Sequence, residues 1–301
     1  MKNASEIKHS LSAVKQTRQI TNAMYLLSAT EMKRYLGNIG YIVEYMERLR
    51  SLKAELLADS RDLTHPFRTS SSHSNRTAFI VISGERGMCG SYNQDIAALA
   101  EEKIKAADKA YVIMKGSYAE ELLCAKGIKA DEKWEYPGNA PSIEYAADMA
   151  DKLINLYLSD EIDEIDIVYT KYLSQGKQSA TCDRLLPLEA EHTARESAEI
   201  HGANELEYLG SEEEVFVNLT THYIKGFVYS AMYESFLCEN ISRMNAMRIA
   251  TNNADEMIKD LTSKFNSIRQ LAITSEITEI TTAAIYAAEQ DSVTEEETYE
   301  S

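Results

Sequence analysis

Both ends of this 301-residue chain are free of proline, and this feature most constrains its fold. All four prolines lie between positions 66 and 187, and neither glycine nor proline occurs from Phe227 to Ser301. Because proline removes a backbone donor and clashes with the preceding helical turn, helices in the middle of the chain must be short. The two ends are able to form very long helices.

Apolar residues at both ends repeat with the spacing of a coiled coil. Alternate steps of four and three residues give mostly apolar positions from Ile7 to Leu56, and a similar stripe runs from Leu237 to Ala272. The first stripe is interrupted by Arg18, Thr21 and Ser28. Apolar groups on a neighbouring face there come from Ile20, Met24 and Leu27. Because neither helix could bury its stripe alone, we predict an antiparallel two-helix coiled coil of segments 1–60 and 211–288.

The segment 75–190 alternates short β-rich runs with helical stretches. Strands are expected at Thr77–Ser83, Ala110–Met114 and Ile165–Tyr172. Helices are expected at Gln94–Ala107, Tyr118–Ala125 and Ser142–Leu158. This alternation predicts a small central α/β domain with a mostly parallel sheet. Segment 189–210 is expected to be a linker, and the acidic segment 289–301 a disordered tail.

Charge and composition exclude several classes of function. The 48 acidic residues outnumber 31 Lys and Arg, and a net charge of −17 disfavours binding to nucleic acid or anionic lipid. The first 34 residues are nevertheless basic, which fits a solvated helix face or a surface for acidic partners. The spacing of the four cysteines and six histidines fits neither a disulfide framework nor a metal site. No apolar run approaches the roughly 20 residues that span a bilayer, so we expect membrane association through partners only.

The loop Gly84–Gly90 (GERGMCG) follows a strand and precedes a helix, as phosphate-binding loops do. With Gly90 as its second glycine, a P-loop needs lysine at 91 and serine or threonine at 92, where this chain has Ser91 and Tyr92; the glycine spacing does not fit a dinucleotide fingerprint either. Cys89 has no evident histidine partner, which favours a packed cysteine over a nucleophile. We predict a structural turn or a partner-binding loop, with no catalytic residue and no cofactor. A stand-alone α/β nucleotide-binding enzyme with helical arms is the alternative from another class.

Three blocks of sequence, in this order, resemble the gamma subunit of F-type ATP synthase. The blocks are Ile7–Ala29, Ile82–Asn93 and Glu239–Ile280, with weaker likeness through Ile143–Leu188. The sequence departs from the family pattern at Asn22 in place of lysine, at Gly90–Ser91 in place of a glycine pair, and at Thr281–Ala283 in place of a glycine-containing end.

The resemblance implies a bent coiled coil with a Rossmann-like α/β domain at its foot. It implies a non-catalytic central rotor shaft that couples proton translocation through the membrane sector to ATP synthesis or hydrolysis on beta subunits. Three alpha and three beta subunits, epsilon and the membrane c-ring are the implied partners. The implied location is peripheral, on the cytoplasmic side of a bacterial cell membrane. A gamma-like rotor of a sodium-coupled or hydrolysis-only rotary ATPase is the alternative within the same fold.

The resemblance also implies positions of partner contact. Arg269 and Gln270 match the pair that meets a beta-subunit loop, and Thr274 and Glu276 belong to the same block. The shaft positions are Arg18, Met24, Arg243 and Met247. For Met247, simple filling of the coiled-coil seam is the competing interpretation.

Overall fold

The computed structural model describes residues 4–59, 63–68, 75–135, 140–188 and 211–299. The expected linker, 189–210, lies outside these ranges. The chain divides into two compact units. The larger unit is Met24–Ala246, and the smaller combines Met1–Ala23 with Met247–Ser301.

Two long helices form the ends of the chain, as the absence of proline predicts. Helix α1 spans Ala4–Asp59, and the last helix, α5, spans Glu212–Tyr299. The start of α5 is capped by Ser211, whose Oγ accepts a hydrogen bond from the Glu214 amide at 3.2 Å. The acidic stretch expected to be a disordered tail continues the helical backbone as far as Tyr299. Glutamate favours helix, and no glycine or proline stops α5 there.

A five-stranded sheet forms the centre of the larger unit, with strand order β3-β2-β1-β4-β5. The strands are β1 (Arg76–Ile82), β2 (Lys109–Lys115), β3 (Glu132–Lys133), β4 (Glu164–Ser174) and β5 (Lys177–Leu186). Three short helices connect them: α2 (Tyr92–Ala106), α3 (Ser117–Cys124) and α4 (Ile143–Leu158). The pairs β1–β2, β1–β4 and β2–β3 are parallel, and β5 runs antiparallel to β4. The predicted α/β class with a mostly parallel sheet is confirmed.

The sequence analysis did not predict two of the strands, β3 and β5. Strand β3 has only two residues, too few for any periodic signal. Strand β5 (KQSATCDRLL) is mostly half-buried and polar over its first eight residues, so it lacks the apolar run that marks β1. The β4–β5 hairpin turns at Gln175–Gly176, a signal that a search for parallel strands does not use.

Side chains of β1 alternate between two cores on opposite faces of the sheet. Ala78, Ile80 and Ile82 pack with residues of α1, α4 and α5. Phe79 and Val81 pack on the other face, with residues of α2 and α3. The larger unit is therefore a three-layer α/β body, and segments of both long helices form part of one outer layer.

The two long helices pack antiparallel within the larger unit. The ring of Tyr35 on α1 contacts Tyr233 and Phe236 on α5, at centroid distances of 5.1 and 4.8 Å. Farther along α1, Leu49 lies against Gly226, where an added Cβ would come within 3.1 Å of Leu49 Cδ1. Higher numbers on α1 thus face lower numbers on α5, and Gly226 allows the close approach.

The same antiparallel pairing holds within the smaller unit. Arg18 Nε donates to Asp255 Oδ1 at 2.9 Å, and Thr251 Oγ1 donates to Thr21 Oγ1 at 2.8 Å. The side chain of Thr21 is buried, so this polar interruption of the heptad stripe lies in the seam itself. The small hydroxyls pair with each other there, which satisfies them without contact with water.

Two buried threonines on α5 predict opposite responses to the same substitution. The hydroxyl of Thr220 is buried and has no hydrogen-bond partner among the described residues, whereas that of Thr251 is bonded to Thr21 and to the Met247 carbonyl. Thr220→Val should raise the thermal midpoint of the full chain by about 2 °C, because an unpaired buried hydroxyl costs about 1 kcal/mol. Thr251→Val should lower it by a similar amount. Equal shifts in both variants would contradict the assignment.

Candidate functional site

Asn93, in the first turn of α2, makes three hydrogen bonds to the loop after β1. Its Oδ1 accepts a hydrogen bond from the Gly84 amide at 2.9 Å, and its Nδ2 donates to Arg86 O at 3.4 Å and to Cys89 Sγ at 3.2 Å. The backbone is left-handed at Met88 (φ 61°) and Gly90 (φ 63°), which folds the loop back onto α2. Loop polar groups are bonded to Asn93, as in a structural turn.

Arg243 of α5 clamps this loop. Its guanidinium donates to Arg86 O at 3.1 Å and Gly87 O at 3.4 Å, and to Glu239 Oε1 at 2.5 Å. The side chains of Arg243 and Glu239 are 9% and 13% exposed. We call these contacts the Arg243 clamp. A charged donor held in place by a buried carboxylate makes strong hydrogen bonds, so the loop and α5 are fixed to each other.

Glycine at position 84 makes room for the clamp. An added Cβ there would lie 2.9 Å from the carboxyl carbon of Glu239 and 3.2 Å from Asn93 Oδ1. Nearby, burial lowers the pKa of Lys115, while the charges of Glu85 and Glu239 oppose that shift. Glycine at position 84 therefore allows the loop to pack closely against α5.

The thiol of Cys89 lies inside the same packing. The side chain is buried, and burial raises its pKa, with Arg243 opposing and Glu239 adding to the shift. A raised pKa keeps the group as a thiol, which is a weak nucleophile. This supports a packing role over a catalytic one.

Helix α5 also fills the crevice in which sheets of this type bind ligands. In a doubly wound sheet that crevice lies at the carboxyl ends of the strands, where the strand order reverses, here between β1 and β4. Glu234 and Ser235 bond to β4 there, and Tyr92 of α2 donates to Ser235 O at 3.0 Å. The chain's own helix thus lies where a nucleotide would sit, which favours a subunit with a structural junction over the nucleotide-binding alternative.

The four predicted shaft residues differ in their exposure and in their partners. Arg18 is 43% exposed and paired with Asp255, and Met247 is buried in the seam of the same unit. Met24 is half-buried in the larger unit. Arg243 is 8% exposed and its charge is directed into the loop, which leaves it poorly placed for a partner.

The four predicted contacts with a beta subunit lie together on exposed turns of α5. Arg269, Gln270, Thr274 and Glu276 are all exposed, and Thr274 Oγ1 donates to Gln270 O at 2.9 Å. Arg269, Ile273, Glu276 and Ile280 share one helix face by their spacing. Within the part of the chain that the structure describes, Arg269 forms no ion pair. This surface is open to a partner.

Sequence reasoning missed Glu234, Ser235 and Glu239 as functional candidates. Glu239 and Arg243 are four residues apart, which is the helical spacing of an ion pair, so that part of the clamp had a local signal. No local pattern indicates that Arg243 bonds to carbonyls 156 and 157 positions away.

An α/β body fixed by buried polar bonds to an antiparallel pair of long helices is the architecture that the sequence resemblance implied. Comparison with known proteins agrees. The family model described as ATP synthase matches residues 3–285. The ATP synthase gamma chain of Acetivibrio thermocellus is 34% identical over 93% of this chain and 97% of the relative. That of Caldanaerobacter subterraneus subsp. tengcongensis is 33% identical over 91% and 96%. The chain belongs to the ATP synthase gamma-chain family.

Solved structures agree on the fold. A chain of the Euglena gracilis mitochondrial ATP synthase structure of OSCP, F1 and c-ring has a TM-score of 0.61 at 15% identity, with 95% of each chain covered. A chain of the rotor structure from the same organism has a TM-score of 0.58 at 14% identity, covering 90% of this chain and 98% of that one. The predicted resemblance to the ATP synthase gamma subunit is confirmed by the family model and by the gamma chains that match this chain.

Proposed function

We propose that this gamma chain is a non-catalytic rotating shaft that couples proton translocation through the membrane sector to ATP synthesis or hydrolysis on beta subunits. The observation that carries the proposal is the exposed end of α5. Large apolar side chains are open to solvent there, among them Leu271 and Ile280, each 70% exposed. Exposed apolar surface rimmed by polar groups is typical of a protein interface.

The chemistry of that surface supports contact with a protein partner that offers carboxylates. Arg269 offers a planar set of donors with no partner among the described residues, and Gln270 adds a neutral donor and acceptor. Arginine is enriched in binding hot spots, and the exposed apolar side chain of Ile273 lies on the same helix face as Arg269. We assign Arg269, Gln270, Thr274 and Glu276 to contact with a beta-subunit loop.

Coupling by such a shaft needs no chemistry of its own. A contact that is more favourable with one conformation of a beta subunit shifts the population towards that conformation. A shaft that bound all conformations equally would shift nothing. The side-chain pattern of α5 differs around its circumference, so each angle would offer a different surface to each of three beta subunits.

The proposed assembly contains three alpha and three beta subunits, epsilon and the membrane c-ring. The Euglena gracilis neighbours come from rotor and F1/c-ring structures, which supports this set of partners. Among the described helices, none has an apolar stretch long enough to cross a bilayer. We propose a peripheral position on the cytoplasmic side of a bacterial cell membrane, reached through these partners.

The double substitution Arg269→Ala and Gln270→Ala is expected to lower ATP-driven proton pumping in reconstituted vesicles. We expect a decrease of about tenfold, the effect of losing about 1.5 kcal/mol of charged hydrogen bonding in one conformation of a beta subunit. The thermal midpoint of the chain should not change, because both side chains are exposed. The measurement is the quenching of a pH-sensitive dye per ATP hydrolysed.

Lys264→Ala is the matched control, since it removes a positive charge one turn away that is already paired with Asp260 at 2.7 Å. It should pump like the unmodified complex. Tagged chains of both variants should co-purify alpha and beta subunits in threefold excess. Unchanged pumping by the double variant would remove the assigned contact, and saturable nucleotide binding by the purified chain would favour the enzyme alternative. Pumping that requires sodium would favour the sodium-coupled alternative.

A further inference from the structure

Strand β4 is longer than its parallel neighbour β1. Part of one edge of β4 therefore lies beyond the end of β1. The last paired residues of β1 and β4 are Val81 and Val168, whereas β4 continues to Ser174. Strand β5 covers the opposite edge of β4 as far as Ser174. Beyond Val168, no strand among the described residues lies on the β1 side of β4 to accept its amide hydrogens.

Two side chains of α5 accept those hydrogens. The Thr170 amide donates to Ser235 Oγ at 3.2 Å, and the Tyr172 amide donates to Glu234 Oε2 at 2.9 Å. Ser235, Glu234 and Thr170 are all buried, so these bonds are shielded from water. Ser230 Oγ donates to the other carboxylate oxygen of Glu234 at 3.2 Å and so fixes its orientation.

We propose that Glu234 and Ser235 are positioning residues that fix the rotational setting of the α/β body on α5, so that body and helix turn as one piece. This rests on the proposed rotor function. Apolar packing between a helix and a sheet is not directional, and it resists sliding or twisting weakly. Hydrogen bonds from two alternate amides of one strand fix both the rotation and the register of the helix. We call them the β4–α5 link.

The β4–α5 link should determine how far the α/β body can twist relative to α5. Without the link, torque applied at the body would twist the junction, and the body and α5 would turn through different angles. A residue that only stabilised the fold would change the thermal midpoint but not the angular stiffness of the assembled rotor.

The test is single-molecule rotation of the assembled complex, with a gold rod attached at Cys124 of the α/β body. Cys124 is exposed, whereas Cys89 and Cys238 are buried. The reactive cysteines of the other subunits are replaced by serine, and this chain carries Cys182→Ser. In the double variant Glu234→Leu with Ser235→Ala, we expect the angular variance of the rod at each dwell to rise at least twofold. Protons pumped per ATP should fall, while ATP hydrolysis continues.

Two control variants separate positioning from stability. Glu234→Gln keeps an oxygen acceptor for the Tyr172 amide, so its variance should match that of the unmodified rotor. Leu153→Ala creates a cavity in the core beside α4, away from the link, and should lower the thermal midpoint without broadening the dwell. An unchanged variance in the double variant, or an equal rise in Leu153→Ala, would overturn the proposal.

Hydrogen exchange in the full chain decides the matter if the double variant fails to assemble. Ser235→Ala alone should speed exchange of the Thr170 amide about tenfold relative to amides of β1, because that amide loses its acceptor. Equal protection would overturn the link. If the rod on the unmodified complex does not rotate during ATP hydrolysis, the proposed function fails, and the exchange result still reports on the link by itself.

Discussion

Arg243→Met is expected to destabilise the chain far more than substitution of an exposed arginine on α5. It leaves the buried carboxylate of Glu239 without its positive partner and removes the donor from two loop carbonyls. Breaking a buried ion pair from one side costs about 3–5 kcal/mol, so the thermal midpoint should fall by about 10 °C. Methionine keeps most of the side-chain volume, so the loss reports on the bonds and not on packing.

Accessibility of Cys89 gives a second, local measurement of the same substitution. Cys89 belongs to the loop that the clamp holds, and its buried thiol accepts a hydrogen bond from Asn93 Nδ2. When the clamp is broken, the loop should open more often, and a maleimide should modify Cys89 faster than in the unmodified chain. Cys238, buried in the core against the same sheet face, should react slowly in both.

Arg248→Met is the matched control for the clamp, since Arg248 is an exposed arginine on the same helix. It should change the midpoint little. Combining Arg243→Met with Glu239→Leu should recover part of the loss, because both charges are then absent. If Arg243→Met and Arg248→Met have the same midpoint, the buried pair contributes nothing to stability.

Gly116→Ala is expected to have the second large effect. Gly116 follows β2 with a φ of +99°, and an added Cβ would lie 2.3 Å from the carbonyl oxygen of Ser83. That oxygen cannot move freely, because the Ser83 amide donates to Lys115 O at 2.8 Å beside the loop. The strained φ together with a clash against backbone should cost about 3 kcal/mol or more in the free energy of unfolding.

Gly127→Ala separates the two causes. Gly127 also has a positive φ, +83°, but an added Cβ would meet nothing within 4 Å. It should lose only about 1 kcal/mol, the cost of the left-handed backbone for alanine. Urea denaturation of the three full-length chains measures the difference. Equal losses at the two positions would show that the contact with Ser83 relaxes without cost.

The seam of the two long helices shows how well the heptad pattern predicted which side chains are buried. Thr21, Ser28 and Lys53 fall on the predicted stripe and are buried, although their side chains are polar. Leu27, an apolar residue beside the stripe, is 69% exposed. The spacing thus predicted burial better than residue type did, because the helix geometry fixes which face meets its neighbour.

The α/β body could be predicted only in part. Apolar runs revealed β1, β2 and β4, and the serine cap at Ser142 marked the start of α4, where the Tyr145 amide donates to Ser142 Oγ at 3.5 Å. Strand β5 lacked such a run, because its residues are mostly half-buried. How far such a strand is buried depends on the elements that pack against it, and its own sequence does not show this.

The sequence analysis placed candidate site residues both in the exposed part of α5 and in its buried part. Arg269 and Gln270 lie on an open surface, which suits the role that the family resemblance implies, and that role stays a prediction. Arg243 was grouped with the shaft, but its charge is bonded to Arg86 O, Gly87 O and Glu239. The position of a charged residue in a helical pattern does not indicate which backbone carbonyls it will contact in the folded chain.

The amino-acid order alone determined two uninterrupted terminal helices and their apolar seam, because proline, glycine and heptad spacing act through local backbone sterics and helix periodicity. Only the tertiary structure decided that α5 occupies the crevice of the sheet and bonds to the GERGMCG loop and to β4 through Arg243, Glu239, Ser235 and Glu234. The bonds from α5 to the loop and to β4 join groups 62 to 157 positions apart, so their partners are fixed by how the layers pack and not by any local pattern.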